Sequence, residues 1–163
     1  MRRVCVLITI LALGAGGVAV SVSAQVRTAY PDKRGVPLSA FPRTIELAEN
    51  VYGYEDIRQP GFTTVSLFVV GTDGVLIADG QGSPAATEKM LDEIRKVTPR
   101  PVKWYVMGSD HGDHTAGNAV LPKDVTYVVQ PNSLAQLRRE AANPKRPPNA
   151  APVVVPASAM RSD

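Results

Sequence analysis

The chain has 163 residues, 44% of them hydrophobic and 20% charged, which is the length of one domain and the composition of a globular protein rather than a disordered one. Its formal net charge of +3 is unevenly placed, because Arg2 and Arg3 lie in a leader-like segment and the balance without them is near neutral. No stripe of Lys and Arg interleaved with aromatics occurs, which argues against nucleic acid as a partner.

Residues 1–24 read as a secretory signal. Arg2-Arg3 forms the positive n-region, an uncharged and mostly apolar run follows from Val4 to Val20, and Val22-Ser23-Ala24 offers small residues for cleavage before Gln25. An uncleaved anchor is the alternative, since the run is nearly long enough to span a bilayer. Gly14, Gly16 and Gly17 interrupt it, however. The expectation is a periplasmic or secreted protein with no stable membrane anchor after cleavage. Cys5 is the only cysteine and lies inside this segment, so the mature chain would hold no thiol. That excludes disulfides and leaves His, Asp and Glu as metal donors.

Residues 25–42 carry Pro31, Gly35, Pro37 and Pro42 and form an irregular lead-in. From Thr44 the pattern turns extended, with Ile45, Leu47 and Val51 apolar at odd positions, as in one half-buried strand. Val65 to Val70 is strongly β-prone, Gly71-Thr72-Asp73-Gly74 is a turn signal, and Val75 to Ala78 is the paired strand. The hairpin ends at Asp79-Gly80. Ser83 then caps a helix with Pro84 at its first position. Thr87, Met90, Leu91, Ile94 and Val97 form its apolar face, and Pro99 and Pro101 stop it. Val102 to Met107 is a strand, Thr115 to Val120 a candidate short helix, Val125 to Val129 a strand, and Ser133 to Ala142 a helix with Leu134 and Leu137 facing inward. Residues 143–163 are rich in Pro and Ala, with Val153-Val154-Val155 a candidate strand start. Antiparallel strands followed by alternating helices and strands predict an α/β fold with a mixed sheet.

The chemistry concentrates in one loop. His111 and His114, the only two histidines, each follow an aspartate in Asp110-His111-Gly112-Asp113-His114, and Thr115-Ala116-Gly117-Asn118 comes next. Imidazole and carboxylate are the zinc donor set where no thiol is available, and Gly112 permits a sharp turn between them. A polar surface loop is the bland alternative. For Asp79 the default is a hairpin-end or cap role.

This segment resembles the metal-binding loop of metallo-β-lactamase-fold hydrolases. Their motif, His-x-His-x-Asp-His, sits at a strand end and is commonly followed by small residues, Gly and Asn. His111, Asp113 and His114 match its second, third and fourth named positions. Gly74 to Gly80 is similar to the family's strand that ends in an acidic residue, here Asp79, which supports the metal loop without binding metal. The resemblance covers residues 43–142. It implies half of a metallo-β-lactamase-type αββα sandwich, with helices packed on one face of the sheet. It also implies one or two zinc ions in a complete member, His111 on the first, Asp113 and His114 on the second, and a catalytic role for Asp113 at the bridging water. Small-molecule substrates with ester, amide, lactam, thioester or phosphoester bonds follow from the same resemblance.

Two departures qualify it. Ser109 stands where the motif has its leading histidine, and a serine hydroxyl is a poor zinc ligand. Asp110 beside it is a candidate substitute ligand, with a solvent-facing carboxylate as the alternative. No histidine follows His114, whereas the family takes further ligands from its second half. At most a partial zinc site is expected in this chain; iron and manganese also suit these donors. A half-sandwich would expose the inner sheet face, with Val65, Leu67, Val69, Leu76 or Ile77 on it. A partner chain or self-association would then cover it, or the sequence is truncated mid-fold near residue 143 onward. The leading expectation is thus an exported metal-dependent hydrolase present as an incomplete domain. The alternatives are a non-catalytic periplasmic binding or assembly module with a degenerate metal site, and a truncated fragment.

Overall fold

The computed structural model describes residues 28–158, so the expected signal segment and Cys5 lie outside the described residues. Six strands form one sheet in the order β1 (Arg43–Ala48), β2 (Val51–Gln59), β3 (Phe62–Val70), β4 (Val75–Ala78), β5 (Val102–Val106) and β6 (Thr126–Val128). The first three junctions are antiparallel and the last two parallel. Helix α1 (Pro84–Val97) connects β4 to β5, a short α2 (Gly112–Thr115) follows β5, and α3 (Pro131–Ala141) follows β6. This is the mixed α/β sheet that the sequence pattern predicts. Among the described residues no helix is long and apolar enough to cross a membrane.

Three local readings need correction. The extended run from Thr44 through Val51 is two strands, because Asn50 adopts φ 61° and turns the chain. Asparagine tolerates that left-handed conformation. Val97 sits in the last turn of α1 at 37% exposure, outside the buried stripe of Thr87, Met90, Leu91 and Ile94. No strand forms at Val153 to Val155; Val153 instead packs against the core. Other local signals act as expected. Ser83 Oγ accepts from the Ala86 N–H at 3.2 Å. The last helix begins two residues before Ser133, because Gln130 caps it by accepting from the Asn132 and Ser133 N–H groups.

The register divides the sheet into two unlike faces. Tyr52, Phe68, Ile77, Tyr105 and Tyr127 stand in one row across β2 to β6. Tyr52 stacks on Phe68 with ring centroids 4.9 Å apart. Against this face pack Met90, Leu91 and Ile94 of α1 and Leu134 and Leu137 of α3, closing a single core. The opposite row holds Ile45, Gly53, Leu67, Ala78, Val106 and Val128. Here Leu47 is 60%, Val65 55% and Ile45 39% exposed, and Leu67, Val69, Leu76 and Trp104 are only half-buried. Of the residues expected on an uncovered face, Ile77 belongs to the covered one, where it is fully buried. The period of two explains the difference: neighbours Leu76 and Ile77 must point to opposite sides.

One glycine binds the loop after β5 to α1. A Cβ on Gly117 would lie 1.8 Å from Thr87 Oγ1 and 2.5 Å from the Ser83 carbonyl oxygen, so no other residue fits between these elements. At the other end of the sheet, the lead-in folds into two 3-10 turns, Asp32–Arg34 and Leu38–Ala40. It is tied down through Glu55, which is 4% exposed. Glu55 accepts from Arg34, from Arg43 Nε at 2.9 Å and Nη2 at 2.7 Å, and from Thr63 Oγ1 at 2.6 Å. Burial alone would raise the Glu55 pKa, but the hydrogen bonds from Arg34, Thr63 and Arg43 outweigh it and hold the carboxyl below its ordinary 4.5.

A carboxyl whose folded pKa is depressed contributes stability above its unfolded pKa and loses it as pH falls through the folded one. Glu55→Gln is therefore expected to cost roughly 2–3 kcal/mol at pH 7, since it leaves two guanidinium groups without their anion. The gap to wild type narrows as pH drops below about 4.5. Urea midpoints of both proteins across that range check it, and a pH-independent gap would contradict the ion cluster.

Candidate functional site

The site is built at the end of β4 and β5, where parallel strands deliver their C-termini side by side. β4 stops at Ala78, and Asp79 then takes φ 60°, a conformation that costs most residues energy but that Asp accommodates. Its N–H still donates to the Val106 carbonyl at 3.0 Å. Its carboxylate is thereby turned toward the segment that leaves β5. Oδ1 accepts from the Gly108 N–H at 2.8 Å and the Ser109 N–H at 3.2 Å. Oδ2 lies 3.2 Å from His114 Nδ1. The approach is close: a Cβ at Gly108 would meet Asp79 Oδ2 at 3.0 Å, so the carboxylate would have to give way to any other residue.

The loop is fixed from beneath as well. Tyr105, fully buried on β5, donates from its hydroxyl to the His114 carbonyl at 2.9 Å and accepts from the Gly80 N–H at 2.8 Å. Burial pushes its phenol far above the ordinary range, so it stays a neutral donor. Thr115 Oγ1 donates to the His111 carbonyl at 3.0 Å, closing the first turn of α2. The Ser109 hydroxyl accepts from the His111 N–H at 3.3 Å and so serves the loop's own turn.

These constraints sort the candidate residues into two groups. Asp79, Asp113 and His114 come together: His114 Nε2 is 3.4 Å from Asp113 Oδ2, while Nδ1 faces Asp79. His111 and Asp110 do not join them. The His111 side chain is exposed, and both residues line a separate cavity of about 630 Å³ shared with α3, Arg146 and Val153. On the side of Asp113, a second cavity of about 600 Å³ is lined by Asp56, Arg58, Gln81, Ser83, Lys89 and Asp113. Arg58 is the residue that sequence reasoning missed. Its Nη1 lies 3.0 Å from Asp113 Oδ2, bringing in a cation from the end of β2, an element the apolar pattern did not reveal.

The donor chemistry fits part of a metal site. An imidazole whose Nδ1 is backed by a carboxylate leaves Nε2 for a metal ion, and Asp113 supplies an oxygen on that side. Nδ1 is buried and faces the Asp79 carboxylate at 3.2 Å, though without a well-directed hydrogen bond. Two ligands fit; a complete set does not. Among the described residues no group of three or more His, Cys, Asp or Glu is placed to hold a metal ion.

The fold and site together define an α/β half-domain with a carboxylate-anchored His-Asp loop at the C-terminal end of parallel strands. No protein-family model matches the chain, and no curated protein does. Solved structures do. A crystal structure of a metallo-β-lactamase from Erythrobacter litoralis, with β-mercaptoethanol in its active site, aligns with a TM-score of 0.56 at 23% sequence identity. The match covers 74% of this chain and 50% of that chain. The described residues are thus a metallo-β-lactamase-fold half-domain, spanning half the length of the structure they match.

Asp79→Ala removes three contacts and places alanine at a positive φ. It is expected to cost about 2–4 kcal/mol and to raise amide exchange at Gly108 and Ser109 first. Asp79→Asn keeps an acceptor oxygen and tolerates the backbone, so its cost is roughly half. Unchanged exchange at both amides in Asp79→Ala, followed by NMR, would contradict the anchor.

Proposed function

We propose that this chain is the N-terminal half of an exported, metal-dependent hydrolase of the metallo-β-lactamase superfamily. In this reading Asp113 and His114 are metal ligands, with zinc the favoured ion, and the bond attacked is of the ester, amide, lactam or thioester type. The observation that carries it is the convergence of His114 Nε2 and Asp113 Oδ2 at 3.4 Å on a loop pinned by Asp79. The fold match to a metallo-β-lactamase supports the superfamily relationship.

When bound, such an ion supplies Lewis acidity and an acidified water able to attack near neutral pH. The chain's own residues supply position. Asp79 orients the imidazole through Nδ1, so that Nε2 points outward. Tyr105 and Gly80 fix the His114 backbone, which holds that direction against thermal motion. Asp113 places a carboxylate oxygen beside Nε2, where it can orient a water and take up its proton. The remaining ligands come from a second half-domain, and the same half covers the open sheet face of Leu47, Val65, Leu67 and Leu76. The 50% coverage of the matched chain supports that arrangement. His111 enters the set only by swinging its exposed side chain out of the α3 cavity.

A non-catalytic module is the second reading. Two observations favour it: Ser109 is engaged in the loop's own turn, and Arg58 already neutralises Asp113.

The test is metal uptake by the full chain. Wild type is expected to retain zinc through gel filtration, measured by mass spectrometry of the eluted metal. Asp113→Ala combined with His114→Ala is expected to lower retained zinc at least tenfold, since it removes both ligands that the loop brings together (about 1.4 kcal/mol per factor of ten). Undiminished zinc in the double variant would contradict the ligand assignment.

A further inference from the structure

The cavity of about 630 Å³ beside α3 stands apart from the cluster of Asp79, Asp113 and His114. The loop after β5 forms one wall, and α3 with the 151–154 segment forms the rest. Leu137 and Val153 give the lining apolar surface. Its ionisable side chains are Asp110 and His111 on the loop, Arg139 and Glu140 on α3, and Arg146. Glu140 and Arg146 answer each other, with Arg146 Nε 3.7 Å from Glu140 Oε1. That pair, and the hydrogen bond that Arg146 donates to the Ala151 carbonyl, hold the tail against α3. Two opposite charges are left over. Asp110 and Arg139 make no ion pair among the described residues.

We propose that this cavity binds a small dipolar molecule of dipeptide size, its carboxylate on Arg139 and its ammonium on Asp110. The Arg139 fork is already oriented, because Nε and Nη2 donate to Gln136 Oε1 at 3.2 and 2.7 Å. The edge between Nη1 and Nη2 is left to take both oxygens of a carboxylate. On the facing loop, Asp110 accepts a hydrogen bond only at its backbone carbonyl, from Thr115 Oγ1 at 3.5 Å. Its carboxylate can only accept, so an ammonium suits it and a second anion does not.

Size and character agree with that ligand. The volume falls in the range that holds organic molecules, about 300–1,000 Å³, far more than a lone ion needs. Leu137 and Val153 offer apolar surface to the ligand's side chains. A ligand of one charge alone would satisfy one wall and set its uncharged end against the other wall's charge, at a desolvation cost. Arg139 is exposed and Asp110 half-buried, so each pole contributes modestly and selectivity comes from needing both. No metal ion takes part, and the proposal holds whether or not Asp113 and His114 bind one.

The test titrates the full chain, in EDTA and followed by NMR, with three probes. Leucyl-leucine carries both charges, N-acetyl-leucyl-leucine lacks the ammonium, and leucyl-leucinamide lacks the carboxylate. Wild type is expected to bind leucyl-leucine with a Kd of about 0.1–1 mM, shifting the amides of Asp110, His111 and α3. Each probe missing one charge is expected to bind about two- to fivefold more weakly, the range of an exposed ion pair. Arg139→Gln is expected to lose that factor toward leucyl-leucine and nothing toward leucyl-leucinamide. Asp110→Asn is expected to lose it toward leucyl-leucine and nothing toward the N-acetyl probe. Circular dichroism confirms that both variants are folded, and the comparison of probes on wild type needs neither. No saturable binding up to about 10 mM overturns the proposal, as do equal affinities for the three probes or shifts confined to residues outside the cavity. A variant that weakens all three probes alike overturns the pairing of charges.

Discussion

The Asp79 carboxylate is the contact on which the site depends. It sits at the end of a buried strand in a left-handed conformation, and it collects the Gly108 and Ser109 amides and the His114 imidazole at one point. Without it, the Gly108 and Ser109 amides lose their acceptor and the start of the segment leaving β5 loses its tie to β4. Everything that gives the loop chemical character follows from that tie. His114 is oriented through Nδ1, and Asp113 is carried to its other nitrogen. Tyr105 and Gly117 add rigidity from below, the first by a hydrogen bond and the second by leaving no space for slippage against Thr87. A strained backbone position held by multiple hydrogen bonds is a common mark of a functional site, since packing alone does not require it.

The sheet distributes its residues in a way that sets the limits of this half-domain. One face carries Phe68, Ile77 and Tyr105 and is closed by α1 and α3. The other presents Leu47, Val65 and Ile45 largely to solvent. Apolar surface of this kind gains free energy when covered.

Much of this was legible in the sequence wherever the signal was local. Ser83-Pro84 announces the start of α1, and the apolar spacing through Ile94 gives its buried face. The β-prone run Val65 to Val70 and its turn give the central hairpin. Asp79, Asp113 and His114 could be picked out because the loop's residue order resembles a known metal motif. The strand β2 was hidden for a physical reason. It buries Gly53, Glu55 and Asp56, residue types that strands disfavour, and Glu55 is tolerated only through Arg34, Arg43 and Thr63. Arg58 was hidden with it, because its pairing with Asp113 spans 55 positions of sequence. The place of His111 was equally invisible: spacing assigns it to the loop, but the structure leaves it exposed and lining the cavity shared with α3.

The most direct measurement is anomalous diffraction at the zinc edge from crystals of the full chain grown with Zn²⁺. The expected result is a zinc ion bonded to His114 Nε2 and an Asp113 oxygen, with Asp79 still facing Nδ1. Zinc held by His111 and Asp110 in the α3 cavity, with Asp113 still paired to Arg58, would contradict the assignment of this loop as a metal-binding site built around Asp79.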